Sequence, residues 1–461
     1  TTIQFNSDKS LYVFLAFWYF VGVVLALRIV RSPVGHILSA IRENPLRAQA
    51  VGHNIHAYKL TAFVVAAAYA GFAGGLLGLM QGFMPPDAFT FETSGQLVMQ
   101  TAIGGAGTLF GPLVGATVWL YLSDFFQTTL HLGATWKLVL GIVFVLLVVF
   151  LRHGIVGGIV DLYRVLTGKN GKPHEAAESV PHVVAPGAGL GSVASPGVQP
   201  AAPAPAPVEL GEPILQAEQL SKRYGGLVAN NNINFTVRRG ELRGIIGPNG
   251  AGKSTFFKML TCEIPPTSGR ITFDGNDITG LGVTDVCQLG LTKSYQVNQL
   301  FTRLSVRENV TIAALSKRGP FKMDLLRSID SVQGLTKQVD ETLALVRLTD
   351  RADLPVSELA YGEKRRLEIG LALATSPNLL LLDEPLAGMS PRERIETVAL
   401  LKSLRQGRTM VVIDHDMDAM FELVEYITVL SEGAVLVEGT PEDIKSNATV
   451  QEAYLGGVHA P

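Results

Sequence analysis

Residues 247–254 read GPNGAGKS, a glycine loop closed by Lys253 and Ser254 at the spacing that wraps a phosphate chain. The apolar run LRGII precedes it and TFFKML follows, the strand-to-helix context such a loop needs. Gly247, Gly250 and Gly252, with Asn249 between them, let backbone N–H groups curl around phosphates. Thr255 lies in the first turn of the following helix. Lys253 offers a point charge to β- and γ-phosphates, Ser254 can ligate Mg²⁺, and the helix N-terminus adds its dipole. Residues 379–385 read LLLLDEP. A leucine run of this kind predicts a strand buried on both faces. Asp383 at its end is placed to support a Mg²⁺ ion beside the phosphates. Glu384 follows, where a carboxylate can polarise a water facing the γ-phosphate. The chemistry predicted is hydrolysis of ATP with Mg²⁺, with Glu384 as general base.

The elements that carry these residues divide the chain in two. Its 461 residues have a formal net charge of −2, so nothing global points to nucleic acid. Mean hydropathy is +0.29 although 17% of residues are charged, which suggests two chemically different halves. The two cysteines, Cys262 and Cys287, lack metal-ligand spacing and read as reduced, inert thiols.

Residues 11–30, 58–80 and 136–151 are apolar runs long enough, or nearly so, to cross a bilayer. The chain starts at Thr1 and enters the first run almost at once, so further membrane segments are expected upstream. Small residues such as Gly71 and Gly75 predict close helix packing. Arg31, Arg42 and Arg47 place the loop 31–57 on the cytoplasmic side. Parity then requires an odd number of crossings from 96 to 152. The segment 97–126, broken by GGAGTLFGP, is therefore either two short crossings or a re-entrant hairpin turning at the glycines. Within the loop, Asn44, Pro45 and Gly52 supply a cap, a first-turn proline and a stop, which predict a short helix over 45–51. A short cytoplasmic helix between two spans is what a coupling element should be.

The reading predicts a multidomain chain. Residues 1–167 form an α-helical transmembrane permease domain, with further segments expected upstream, and 168–213 a Pro/Ala/Gly-rich linker. Residues 214–461 form an α/β nucleotide-binding domain, in which β-branched runs alternate with helical segments.

Residues 359–369, LAYGEKRRLEI, resemble the signature motif of ABC ATPases, with Ala360 in place of the usual serine and Gly362 at a motif glycine. The LAYG form and the ending VQEAYLGG resemble the ATPases of branched-chain amino acid (Liv-type) importers. AIRENPLRAQAVG and QGFMPPDAFTF resemble the later part of a Liv-type permease. The resemblance implies a helical signature subdomain in which Ala360 and Gly362 face the nucleotide of an opposing ATPase. It also implies a Q-loop glutamine at Gln296, which contacts Mg²⁺ and water, and a switch histidine at His415. Tyr224 would stack on adenine. Ser390 stands where the D-loop usually has aspartate. The implied assembly has a second ATPase domain, a second permease domain and an external solute-binding protein. It would sit in the bacterial inner membrane as a multi-pass protein with its ATPase in the cytoplasm. Branched-chain or related amino acids are the expected cargo. Urea or short amides, or a tethered regulatory ATPase that moves nothing, are the alternatives.

Overall fold

The computed structural model describes residues 8–129, 135–150, 154–159, 211–295, 299–318, 324–405 and 407–455. These residues pack as two compact units. One holds the described residues up to Gly22 and those from Tyr69 to 159; the other holds Val23–Ala68 and the residues from 211 on.

Helix α1 spans Asp8–Val30, α2 Pro33–Glu43, α3 Pro45–Ala50 and α4 Ile55–Gln81. Both α1 and α4 are long and apolar enough to cross a membrane, over Lys9–Val30 and Ile55–Gln81. In the first unit the Tyr69 hydroxyl donates to the Gly22 carbonyl at 3.0 Å, and Trp18 meets Phe72 edge-on at 5.6 Å. The expected close packing at Gly71 and Gly75 is not met among the described residues, because a Cβ at either position would face open space.

The segment 97–126 is a helix pair, α5 (Phe91–Gly104) and α6 (Gly111–Asp124). The turn between them is tied by the Gly111 N–H donating to the Thr108 hydroxyl. The pair approaches so closely that a Cβ at Gly104 would stand 1.6 Å from the Gly111 carbonyl oxygen, and one at Gly115 1.8 Å from that of Gln100. The glycines that break the apolar run are thus the contact itself. Helix α7 (Trp136–Phe150) follows, and a short apolar helix over 154–159 comes after it. Fourteen residues give α5 a length of about 21 Å, short of the ~30 Å hydrocarbon core, while α6 runs straight on into a π-helical turn over Phe125–Thr129. Among the described residues two helices are long and apolar enough to span, fewer than the sequence suggested.

In the second unit, β1 (Pro213–Tyr224), β2 (Leu227–Arg238), β4 (Ser268–Phe273) and β5 (Asn276–Asp277) form an antiparallel sheet in the order β2-β1-β4-β5. Strands β3 (Leu242–Ile246), β6 (Leu291–Lys293), β7 (Leu379–Asp383), β8 (Thr409–Ile413), β9 (Tyr426–Ser431) and β10 (Ala434–Gly439) form a second sheet, ordered β10-β9-β3-β8-β7-β6. Its pairs β9-β3-β8-β7-β6 run parallel, and β10 turns back antiparallel at the edge. Strands β3, β7 and β8 are buried at every position, as an apolar run without alternation predicts. Helices α8 (Lys253–Leu260), α9 (Val283–Leu289), α10 (Val306–Leu315), α11 (Leu335–Leu345), α12 (Tyr361–Ala374), α13 (Pro391–Leu404), α14 (Met417–Leu423), α15 (Pro441–Ser446) and α16 (Ala448–Leu455) complete the unit.

Helices α2 and α3 belong to this unit. Pro33, Val34, Ile37, Ala40 and Ile41 recur at helical spacing and are buried on one face of α2. Ile37, Ala40, Ile41, Ala48 and Val51 join the same core as Phe301, Val306, Val310 and Ala313. The capping signals act as the sequence suggested: Asn44 accepts from the Arg47 N–H at 3.0 Å and Pro45 opens the helix.

Candidate functional site

The parallel sheet delivers the candidate residues to one edge. Strands β3, β8, β7 and β6 are neighbours, and their C-terminal ends lead into the loop 247–252, His415, Asp383–Glu384 and Tyr295 respectively. An open parallel sheet binds its ligand along this edge.

The loop after β3 is built from left-handed glycines, with φ of +156° at Gly247, +84° at Gly250 and +89° at Gly252. Gly252 also faces the Ala229 carbonyl so closely that a Cβ would sit 2.4 Å from its oxygen. Asn249 and Gly250 are exposed at the tip. Helix α8 begins at Lys253 with no side-chain cap and no acidic residue in its first turn, so its first N–H groups remain available to an anion. The Lys253 ammonium donates to the carbonyls of Gly247 at 2.6 Å and Pro248 at 2.9 Å. Burial lowers its pKa, and the Glu384 carboxylate opposes that shift. Ser254 and Thr255 lie in the same first turn, Ser254 exposed. This cradle fits a polyphosphate: its donors converge, and glycine is needed where the chain approaches itself.

Asp383 is buried at the end of β7, and burial pushes its carboxyl above the usual range, opposed by Lys293. The Lys293 ammonium stands 3.6 Å from Asp383 Oδ2 and 2.9 Å from Glu263 Oε1. Glu384 is half-buried in the left-handed region at φ +46°, its N–H donating to the Ile413 carbonyl at 2.7 Å. The His415 ring is exposed, with Nδ1 3.6 Å from Asp414 Oδ1. Buried Asp414 accepts from the N–H groups of His415, Asp416 and Leu386, so it ties the histidine turn to the segment after Glu384. Burial raises its carboxyl, and those hydrogen bonds oppose the rise. Gln296 lies outside the described residues.

The remaining candidates sit elsewhere. Tyr224 ends β1, in the antiparallel sheet, half exposed, with the Lys222 ammonium 5.3 Å from its ring centroid. Ala360 and Gly362 head α12. Ala360 cannot cap with its side chain; instead the Glu363 carboxylate accepts the Ala360 N–H at 2.9 Å. The Gly362 N–H, expected to face an opposing nucleotide, donates to Glu393 Oε1 at 3.2 Å. Glu393 also receives Ser390, so the signature turn and the head of α13 share one carboxylate.

Sequence reasoning passed over two residues behind this edge. Arg365, 1% exposed, donates to the carbonyls of Asp383 at 2.5 Å, Glu384 at 2.6 Å and Pro385 at 3.4 Å, and to that of Tyr295. Its ion-pair partner Glu368 is fully buried. Arg365 and Glu368, charged and three residues apart on a mostly apolar stretch of helix, were the available signal. The thiols fit the inert reading: both cysteines are free, and burial pushes Cys262 up to about 11 and raises Cys287 too.

Residues 230–387 match the family model "ABC transporter". Residues 1–148 match "Branched-chain amino acid transport system / permease component", and 434–460 match "Branched-chain amino acid ATP-binding cassette transporter". The chain is 37% identical over 255 residues to the high-affinity branched-chain amino acid transport ATP-binding protein BraF of Pseudomonas aeruginosa, covering 54% of this chain and 99% of that protein. It is 36% identical over 254 residues to the corresponding ATP-binding protein LivG of Escherichia coli, again covering 54% of this chain and 99% of the other. A crystal structure of a nucleotide-free ATP-binding cassette from an ABC transporter aligns at 27% identity and TM-score 0.48, covering 53% of this chain and 99% of that one. The phosphate cradle, the acidic strand end, the family models and the likeness to BraF and LivG make the chain an ABC ATPase that binds ATP, fused behind permease sequence, and it belongs to the branched-chain amino acid ABC transporter family.

Proposed function

We propose that the chain is one half of an ATP-driven importer of branched-chain or related amino acids in a bacterial inner membrane. Its permease part is 1–167, its tether 168–213 and its motor 214–461. The observation that carries this reading is the place of α2 and α3. The loop between the two full-length apolar helices is buried in the ATPase unit. Glu43 accepts from the Thr302 hydroxyl and the Arg303 N–H, and the Gly52 carbonyl accepts from Gln288. A mere membrane anchor needs no such seat, which disfavours a tethered regulator.

In the motor, the loop N–H groups and Lys253 hold the β- and γ-phosphates, and Tyr224 supports the adenine. Glu384 takes the proton of the attacking water, and His415 and Gln296 orient the γ-phosphate and that water. Ser254, Gln296 and Asp383 would hold a Mg²⁺ ion, which would neutralise charge on the phosphates. The described residues hold no cluster of three or more His, Cys, Asp or Glu side chains that could bind a metal alone. That fits an ion that leans on substrate phosphates. Ala360 and Gly362 serve the site of an opposing ATPase, so a second motor and a second permease complete the assembly. A solute-binding protein delivers cargo. The α5–α6 pair, turning at its glycines, fits either the re-entrant hairpin or the two short crossings expected there.

The test is ATP turnover in liposomes holding the chain with its partner subunits. Stimulation by leucine-loaded binding protein, with uptake of label, is expected. ATPase activity indifferent to every loaded binding protein, with no uptake, would overturn import.

A further inference from the structure

Three charged side chains lie together behind the hydrolytic edge with almost no access to water. Arg47, from α3, is 1% exposed; Arg365 and Glu368, from α12, are 1% and 0% exposed. The Glu368 carboxylate pairs with Arg365, and its charge acts on Arg47 as well. Glu368 Oε2 receives Arg365 Nη1 at 2.5 Å, and its Oε1 receives the Gln299 N–H at 2.9 Å. Arg47 has no hydrogen-bond partner on any of its three guanidinium nitrogens among the described residues, and stands 5.6 Å from the Tyr295 ring centroid. Glu368 is the acid whose charge acts on it most. A buried guanidinium without partners is costly to hold, so this arrangement stores a preference for any shift that lets Arg47 share Glu368.

The other end of Arg365 fixes the backbone that bears the proposed base. Its guanidinium spans the carbonyls of Asp383, Glu384 and Pro385, and also reaches that of Tyr295. Glu384 is the residue there whose backbone is strained, at φ +46°. Non-glycine residues persist in that region when their surroundings over-determine them. The Glu384 N–H is held by Ile413 and its carbonyl by Arg365.

We propose that Arg365 is the positioning residue for Glu384, and that Glu368, shared between Arg365 and Arg47, lets the α3 loop adjust that position. Drawing Glu368 toward Arg47 loosens Arg365 and the turn it holds; withdrawing Arg47 returns the whole carboxylate to Arg365. This rests on Glu384 being the base, and the experiment separates the two claims.

Four variants of the full chain, assembled with its partners, are compared for kcat and KM for ATP: E384Q, R365K, E368Q and R47M. Lysine keeps the charge of Arg365 but cannot span several carbonyls. Because Arg365 is buried and donates to backbone carbonyls and Glu368, R365K is expected to lower kcat by about 10–100-fold, the scale of a misplaced catalytic group, with KM little changed. In single turnover R365K should cost nothing further in the E384Q background, since it acts through that residue. E368Q keeps size and should abolish the effect of R47M on solute-stimulated turnover. If R365K fails to fold, E368Q carries the test alone. The proposal is overturned if R365K is as costly in E384Q as in the parent, if R365K raises KM at unchanged kcat, or if E368Q leaves the R47M effect intact. Parental turnover by E384Q would instead overturn the base assignment itself.

Discussion

Glu384 holds a backbone conformation that costs a non-glycine residue roughly 1–3 kcal/mol. Its carboxylate stands beside buried Asp383 and acts on the Lys253 ammonium. General-base catalysis contributes about 10²–10⁴-fold, so E384Q should slow hydrolysis by about that factor while ATP stays bound. Turnover and nucleotide retention measured together check this; turnover at the parental rate removes the assignment. D383N should differ, losing affinity for MgATP, and K253A should lose phosphate binding first. The loop 247–254, Asp383 and Glu384 were legible because each is a short, contiguous run whose chemistry needs those residue types. Arg365 was not. Its role comes from carbonyls scattered over Tyr295, Asp383, Glu384 and Pro385, and a backbone acceptor leaves no mark on the sequence.

Among elements, α3 was foreseeable from Asn44, Pro45 and Gly52, whereas α2 was not singled out, although its stripe of Val34, Ile37 and Ile41 has helical spacing. Runs of this kind beside a membrane span read as part of the apolar background. Gly52 shows why the stop is glycine: at φ +94°, a Cβ would stand 3.0 Å from Gln288 Nε2 and 3.1 Å from Cys287 Sγ. G52A should therefore unseat α3, a left-handed alanine alone costing about 1–2 kcal/mol, and lower solute-stimulated turnover more than basal turnover. Equal loss of both would contradict that. Next to it, His53 is buried and donates from Nε2 to the Ile312 carbonyl at 2.8 Å. Desolvation lowers its pKa from 6.5 to about 4. An undocked loop then binds a proton that the docked one refuses, so docking is complete above pH 6.5 and weakens as pH falls from 6.5 toward 4. At pH 5 the two pKa values imply a docking equilibrium weaker by about 30-fold. Hydrogen exchange over 33–53 at pH 7 and pH 5 reads this directly. H53Q, which keeps a donor without titrating, should flatten the dependence; an unchanged slope would place its origin elsewhere.

For the molecule as a whole, the question is what keeps the motor with the permease part of its own chain. Residues 168–210 lie outside the described residues, and their composition argues for a tether: 185–207 contains proline, alanine and glycine in abundance and no charged side chain. Such a segment raises the effective concentration of one end near the other, to about millimolar for a short flexible link, without adding a contact. The α2–α3 seat supplies contacts that owe nothing to the tether: the buried face of α2, Glu43 on Thr302 and Arg303, the Gly52 carbonyl on Gln288, and His53 on Ile312. Shortening 185–207 moderately should leave turnover and uptake unchanged, because a segment with no core-forming pattern has no fold to lose. A protease site placed within it, cut after assembly in detergent, should yield two fragments that still migrate together and still couple hydrolysis to solute. Combining the cut with G52A should release the motor fragment, since both the contact and the tether are then gone. Gel filtration of the cut complex reads the outcome. Release by the cut alone would show that the α2–α3 seat is too weak to hold the motor without its covalent link.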